Sequence, residues 1–196
     1  MHQLVRPGRR RGRSLKIAFI GTHGVGKTTL CYDLAAALKR QDAHVDIVKE
    51  VARLSPLPIN RQTSLDAQSW ILATQMAEEI RSDSQYEVVV CDRSVLDNYA
   101  YLHFACGRQR WLEGLVFRWM KTYDFLFKVP ILGDAPSDGV RDTDEFFRRS
   151  IDQLVDRLLA QRHIPHERLP ASEREGWIDL VRRQVLGSPA LTSKLF

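Results

Sequence analysis

Long apolar runs are missing from this chain. No stretch approaches the roughly 20 residues that cross a bilayer as a helix, so no membrane partner is expected. Cysteine is scarce, with only Cys31, Cys91 and Cys106. Their spacing matches no metal-ligand pattern, and three cannot all pair. That argues against a disulfide-stapled secreted scaffold and suits a reducing cytosol. The charged N-terminal stretch lacks the apolar core that a signal peptide needs, so a cytoplasmic protein is expected. A basic body is missing as well. The formal net charge is +5, and residues 1–14 hold Arg6, Arg9, Arg10, Arg11 and Arg13 with no acid, so 5 − 5 leaves zero for residues 15–196. Nucleic-acid proteins usually carry a basic face on the fold itself. Here nucleic acid is expected only through the short Arg tail, which is otherwise a disordered, solvated leader.

What is present fits one domain over residues 15–196 behind that tail. Hydrophobic residues make up 44% and charged residues 27%, an ordinary globular balance. Short β-rich runs alternate with helical stretches, which reads as α/β with a parallel sheet. The strands are expected at Lys16–Ile20, Val45–Val48, Glu87–Cys91 and Asp124–Val129, with a short fifth near His166–Leu169. Helices are expected from Lys27 to about Arg40, with Leu30, Leu34 and Leu38 on one face, and from an N-cap at Ser64 to about Ser82. Leu72, Met76 and Ile80 should form the apolar side of the second. Further helices are expected over 95–105, 108–121, 143–162 and 172–186. Leu112, Leu115, Val116 and Trp119 form a core stripe in the 108–121 piece.

Between the first strand and first helix stands Gly21-Thr22-His23-Gly24-Val25-Gly26-Lys27-Thr28, followed by Thr29. Glycine, four residues, glycine, lysine and Ser/Thr is the phosphate-cradling P-loop pattern. Its glycines let the backbone wrap closely around an anion. The amides then form an anion nest at a helix N-terminus. Residues 21–29 are therefore expected to hold a purine triphosphate, ATP. Lys27 should reach the outer phosphates, and Thr28 should offer its hydroxyl to Mg²⁺. No Asn-Lys-x-Asp segment exists to read guanine, which argues against a GTPase.

The third strand ends in Asp92-Arg93-Ser94. A carboxylate after four apolar strand residues is placed to hold Mg²⁺ at the sheet edge that carries the P-loop. Asp92 is otherwise a helix N-cap. Arg93 beside it suits a second anion. Glu50, after the second strand, lies at the same edge and could take a proton from an attacking hydroxyl. Arg53 would share its side if the segment turns helical, and the two otherwise form a surface ion pair. Asp97 is a candidate for a sugar hydroxyl. Tyr99 and Tyr101 could stack on a planar ring, though at least one is expected in the core. Residues 130–149 read as a lid, in which Arg141, then Arg148 or Arg149, would close over the transferring phosphoryl group.

These blocks resemble the P-loop kinases of the nucleoside and nucleotide kinase group. The likeness is nearest to the AAA-like ATPase/kinase family that includes the ribosylnicotinamide kinase domain of the bifunctional NAD regulator. It is carried by GTHGVGKTTL (21–30), EVAR (50–53), VVVCDRSVLDNYAY (88–101) and DGVRDTDEFFRRSID (138–152). The resemblance implies a P-loop three-layer sandwich with a five-stranded parallel sheet in order 2-3-1-4-5. It also implies Lys27 and Thr28 on triphosphate and Mg²⁺, Asp92 near the metal, Arg93 and Glu50 at the acceptor, and lid arginines on the moving group. No adenylyltransferase domain accompanies it. Two activities remain: a kinase acting on a nucleoside or nucleotide, and an ATPase switch acting on a macromolecule. Only the kinase needs a second pocket beside the phosphates. Nothing in the sequence specifies an oligomer.

Overall fold

The computed structural model describes residues 13–59, 63–133, 145–189 and 191. Arg141, most of the expected lid and residues 1–12 of the tail lie outside the described residues. Five parallel strands form one sheet in the order β2-β3-β1-β4-β5. They are β1 (Leu15–Ile20), β2 (Val45–Val48), β3 (Val88–Asp92), β4 (Phe125–Lys128) and β5 (Glu167–Arg168). The helices are α1 (Lys27–Lys39), α2 (Leu65–Gln85), α3 (Val95–Cys106), α4 (Arg110–Met120), α5 (Glu145–Gln161) and α6 (Trp177–Leu186). Among the described residues, no helix is long and apolar enough to cross a membrane.

The pleat explains the three layers. Successive strand residues point to opposite faces. Leu15, Ile17 and Phe19 of β1, with Val88 and Val90 of β3, join a core with Leu30, Leu34 and Leu38 of α1 and Val181 and Val185 of α6. Ala18, Ile20, Val89 and Cys91 join the opposite core with residues of α2 to α5. Strands buried on both faces read as continuous apolar text, which is why LKIAFI and VVVC are legible in the sequence.

Two helical faces differ from expectation. Ile80 is exposed, and its neighbour Glu79 is wholly buried instead. Glu79 accepts bonds from Lys16 Nζ (3.1 Å), Gln75 Nε2 (2.9 Å), Trp119 Nε1 (2.7 Å) and the Tyr123 hydroxyl (2.6 Å). A buried carboxylate with a cation and three neutral donors is fully satisfied, so polarity wins that position over Ile80. Leu115 is also exposed, leaving Leu112 and Val116 as the buried stripe. Arg13 and Ser14, the last two residues of the expected tail, contact the fold. Arg13 pairs with Asp124, and Ser14 is buried with its amide bonded to Asp83.

Candidate functional site

In a parallel sheet every strand ends at the same edge, so the segments after β1, β2 and β3 meet there. Gly21 begins the P-loop at φ 136°, and a Cβ on it would lie 2.8 Å from the Val129 carbonyl oxygen. Only glycine lets the loop pass β4 that closely. Gly26, at φ 94°, is the N-cap of α1.

A cavity of about 430 Å³ follows the second half of the loop. Gly24–Thr29 line it, with Asp92, Leu132, Gly133 and Arg174 completing the wall. Lys27 is buried here. Its ammonium donates to the carbonyl oxygens of Gly21 (3.0 Å) and Thr22 (2.5 Å). Burial, and next the like charge of Arg93, push its pKa down to about 8. The Thr28 hydroxyl donates to Asp92 Oδ2 at 2.5 Å. Sequence order hid Arg174, because it follows β5 and stands in no motif.

A second, smaller cavity of about 50 Å³ opens on the other side of the loop. Its lining includes His23, Glu50, Arg53, Gln68, Asn98 and Tyr101, together with Arg93. The segment after β2 turns as a 3-10 helix, Val51–Leu54, which brings Arg53 Nε to 3.1 Å from Glu50 Oε2. Arg93 Nη2 lies 2.7 Å from Glu50 Oε1. Arg93 is buried, and burial is the largest single influence on it and opposes its charge. Glu50, Tyr101, Asp97 and Asp92 outweigh that and raise its pKa above the ordinary value, so it stays cationic. Its backbone sits at φ 115°, the left-handed region that costs a non-glycine about 1–3 kcal/mol.

Three polar atoms from the residues of this cavity are buried without a hydrogen-bond partner: Arg93 Nη1, Gln68 Oε1 and Asn98 Nδ2. Buried polar groups are nearly always satisfied. All three belong to residues that line this one hollow. No motif marks Gln68 or Asn98, because an amide on a helix gives no spacing signal.

Other expected residues fall elsewhere. Asp97 does not line the pocket. Its Oδ2 accepts the Ser94 amide (2.8 Å) and hydroxyl (2.7 Å), and its Oδ1 accepts the Gly21 amide (2.7 Å). A carboxylate so occupied caps α3 and anchors the loop, so it is not available to a sugar hydroxyl. Thr22 is wholly buried, and His23 faces the second cavity; neither lines the first. Tyr99 is in the core. Arg148 is buried on α5, and its Nη1 donates to the Gly133 carbonyl (2.9 Å), one residue of the first cavity's wall. Arg149 pairs with Glu145 in solvent. Cys31 and Cys91 are buried free thiols whose pKa values burial pushes up, so they stay protonated.

The sheet order, the loop and the paired cavities define a P-loop kinase-like fold. A family model described as AAA domain matches residues 16–175, and the chain belongs to that family. Among solved structures, thymidylate kinase from Ehrlichia chaffeensis superposes with a TM-score of 0.62 at 18% identity, over 89% of this chain and 99% of that one. Deoxyadenosine kinase from M. mycoides with bound dATP gives 0.63 at 16%, over 89% and 100%. No curated protein matches the chain.

Proposed function

We propose that the protein transfers the γ-phosphoryl group of ATP to a hydroxyl of a nucleoside-like acceptor. The observation that carries this is the second cavity, with its carboxylate, buried arginine and unsatisfied polar atoms, on the far side of the loop from the first. A nucleotide-driven switch has no use for such a pocket. The two neighbouring folds bear the names of a nucleotide kinase and a nucleoside kinase, which supports the class.

The first cavity is the donor site. Loop amides and the Lys27 ammonium would hold the phosphates. The Thr28 hydroxyl and Asp92 carboxylate are hard oxygen donors 2.5 Å apart, which fits Mg²⁺. Among the described residues no cluster of three His, Cys, Asp or Glu could hold a metal alone. That is also the Mg²⁺ pattern, since this ion takes one or two protein ligands and fills the rest with phosphate and water. When bound, it neutralises charge on the phosphates.

In the second cavity Glu50 takes the proton of the acceptor hydroxyl as its oxygen attacks the γ-phosphorus. The bond to the bridging oxygen breaks, and ADP leaves with that electron pair. Arg93 holds Glu50 in place and stays charged beside the developing negative oxygen. A carboxylate facing the acceptor suits an alcohol, which must lose a proton; a monophosphate held by Arg93 and Arg53 is the alternative acceptor. Gln68 Oε1 and Asn98 Nδ2 offer one acceptor and one donor to the edge of a base or a carboxamide, so nicotinamide riboside stands beside the common nucleosides as a candidate. Arg53 would contact the acceptor at the rim. Arg141, outside the described residues, and Arg148 are the arginines of the closing segment.

The test is a screen of nucleosides, nicotinamide riboside and monophosphates with Mg-ATP, read by mass spectrometry. A phosphorylated nucleoside is expected. ATP hydrolysis that no small molecule stimulates, but a protein or nucleic acid does, would replace the kinase with a switch.

A further inference from the structure

The linings of the two cavities meet at consecutive residues of the P-loop. His23 faces the acceptor side, while Gly24 begins the donor side. His23 is almost wholly buried, and its anchor comes from α3. The Tyr101 hydroxyl accepts the His23 backbone N–H at 3.1 Å and lies 2.9 Å from His23 Nδ1. The same tyrosine ring lies 5.0 Å from the Arg93 guanidinium carbon, a cation–π contact. Phe147 of α5 closes the cluster, with ring centroids 5.8 Å from His23 and 5.9 Å from Tyr101.

The hydroxyl of Tyr101 is therefore spent on the loop. A tyrosine oxygen has one proton and two lone pairs. One lone pair takes the His23 amide, and the second contact, to the imidazole, holds the ring. With its N–H given to Tyr101, the His23 amide is turned away from the proposed anion nest. That bond also sets the path of the chain just before Gly24, where the nest begins. A loop whose amides must converge on an anion is sensitive to small shifts, because a hydrogen bond weakens steeply as its angle falls below about 120°.

We propose that Tyr101 is a positioning residue that fixes the phosphate loop from the acceptor side, so that the grip on ATP depends on a side chain that does not touch ATP. The proposal rests on the donor-site reading above for its binding arm. The state of the loop itself is read separately. An acceptor pressed against Tyr101 and His23 bears on the same loop that the phosphates bear on.

The test is Tyr101→Phe, which keeps the ring, the Arg93 contact and the Phe147 packing and deletes only the hydroxyl. Two measurements are made on the full chain. Amide hydrogen exchange at His23 should quicken about tenfold or more, because its acceptor is gone. The dissociation constant of a non-hydrolysable ATP analogue with Mg²⁺, by calorimetry, should rise about five- to tenfold, the loss expected for one net hydrogen bond. His23→Ala retains the backbone bond to Tyr101 and should weaken the analogue less than Tyr101→Phe does. Unchanged exchange at His23 in Tyr101→Phe overturns the proposal, whatever the protein phosphorylates. Faster exchange with unchanged analogue affinity also overturns it, because the bond would then serve stability alone. A wild-type chain that binds no analogue would instead sink the donor-site reading, and the exchange data would still decide whether Tyr101 holds the loop.

Discussion

Replacing Lys27 with methionine should make the folded protein more stable near neutral pH while it destroys nucleotide binding. The ammonium is buried, and burial followed by Arg93 moves its pKa from 10.5 down to about 8. At about 1.4 kcal/mol for each tenfold change in proton affinity, that difference amounts to about 3 kcal/mol. The sign follows from which state holds the proton. Below pH 8 the folded and unfolded chains both carry it, and the full penalty of burying the charge is present. Between about 8 and 10.5 the unfolded chain binds more protons, so stability rises with pH until the penalty has gone. Methionine also gives up the bonds to the Gly21 and Thr22 carbonyls, which returns about 1 kcal/mol each. The net gain at pH 7 is then about 1 kcal/mol. The pH dependence is the larger signal. Urea unfolding of both proteins at pH 7 and pH 10 should show the wild type recovering about 2–3 kcal/mol relative to the variant at the higher pH. A difference that stays constant with pH, or that favours the wild type as pH falls, would refute the buried-ammonium argument.

Asp92→Asn keeps an acceptor for the Thr28 hydroxyl but removes the charge beside the proposed metal. Turnover on the acceptor found by the screen should fall about a hundredfold or more, with the affinity for the ATP analogue within about threefold, as steady-state kinetics and calorimetry would show. Glu50→Gln retains an amide oxygen for Arg93 and removes the base. It should lower turnover about 10²- to 10⁴-fold and, because the charge that compensates buried Arg93 is lost, also lower the melting temperature, though less than Glu50→Ala, which removes the oxygen as well. Glu50→Ala leaves the buried Arg93 charge uncompensated and should cost about 3–5 kcal/mol of stability in urea unfolding.

Much of the frame was readable in the sequence because each element carried its own local signal. Gly21 to Thr28 is a contiguous motif, and β1 and β3 are buried on both faces and so spell out as apolar runs. Ser64 caps α2 as its position suggested, accepting the Ala67 amide at 3.1 Å. What was not readable depends on partners distant in sequence. Ile80 and Glu79 differ by one helix step, and only the meeting of Lys16, Trp119 and Tyr123 decides which of them is buried. Asp97 looked like a ligand group because a carboxylate near a P-loop suggests one. Its oxygens were already spoken for by Ser94 and Gly21, which no spacing rule reveals. Arg174, Gln68 and Asn98 belong to the cavities through folding alone.

The Asp97 carboxylate joins two stretches that lie 76 positions apart, the start of the phosphate loop and the first turn of α3. Anyone recombining this protein with a relative inherits that link. A transplanted loop would arrive without the acid that receives its first amide unless the helix start came with it. Residues 21–28 and 92–101 should therefore be exchanged as one cassette, and a library that shuffles them separately should be populated mainly by chains whose loop is misplaced.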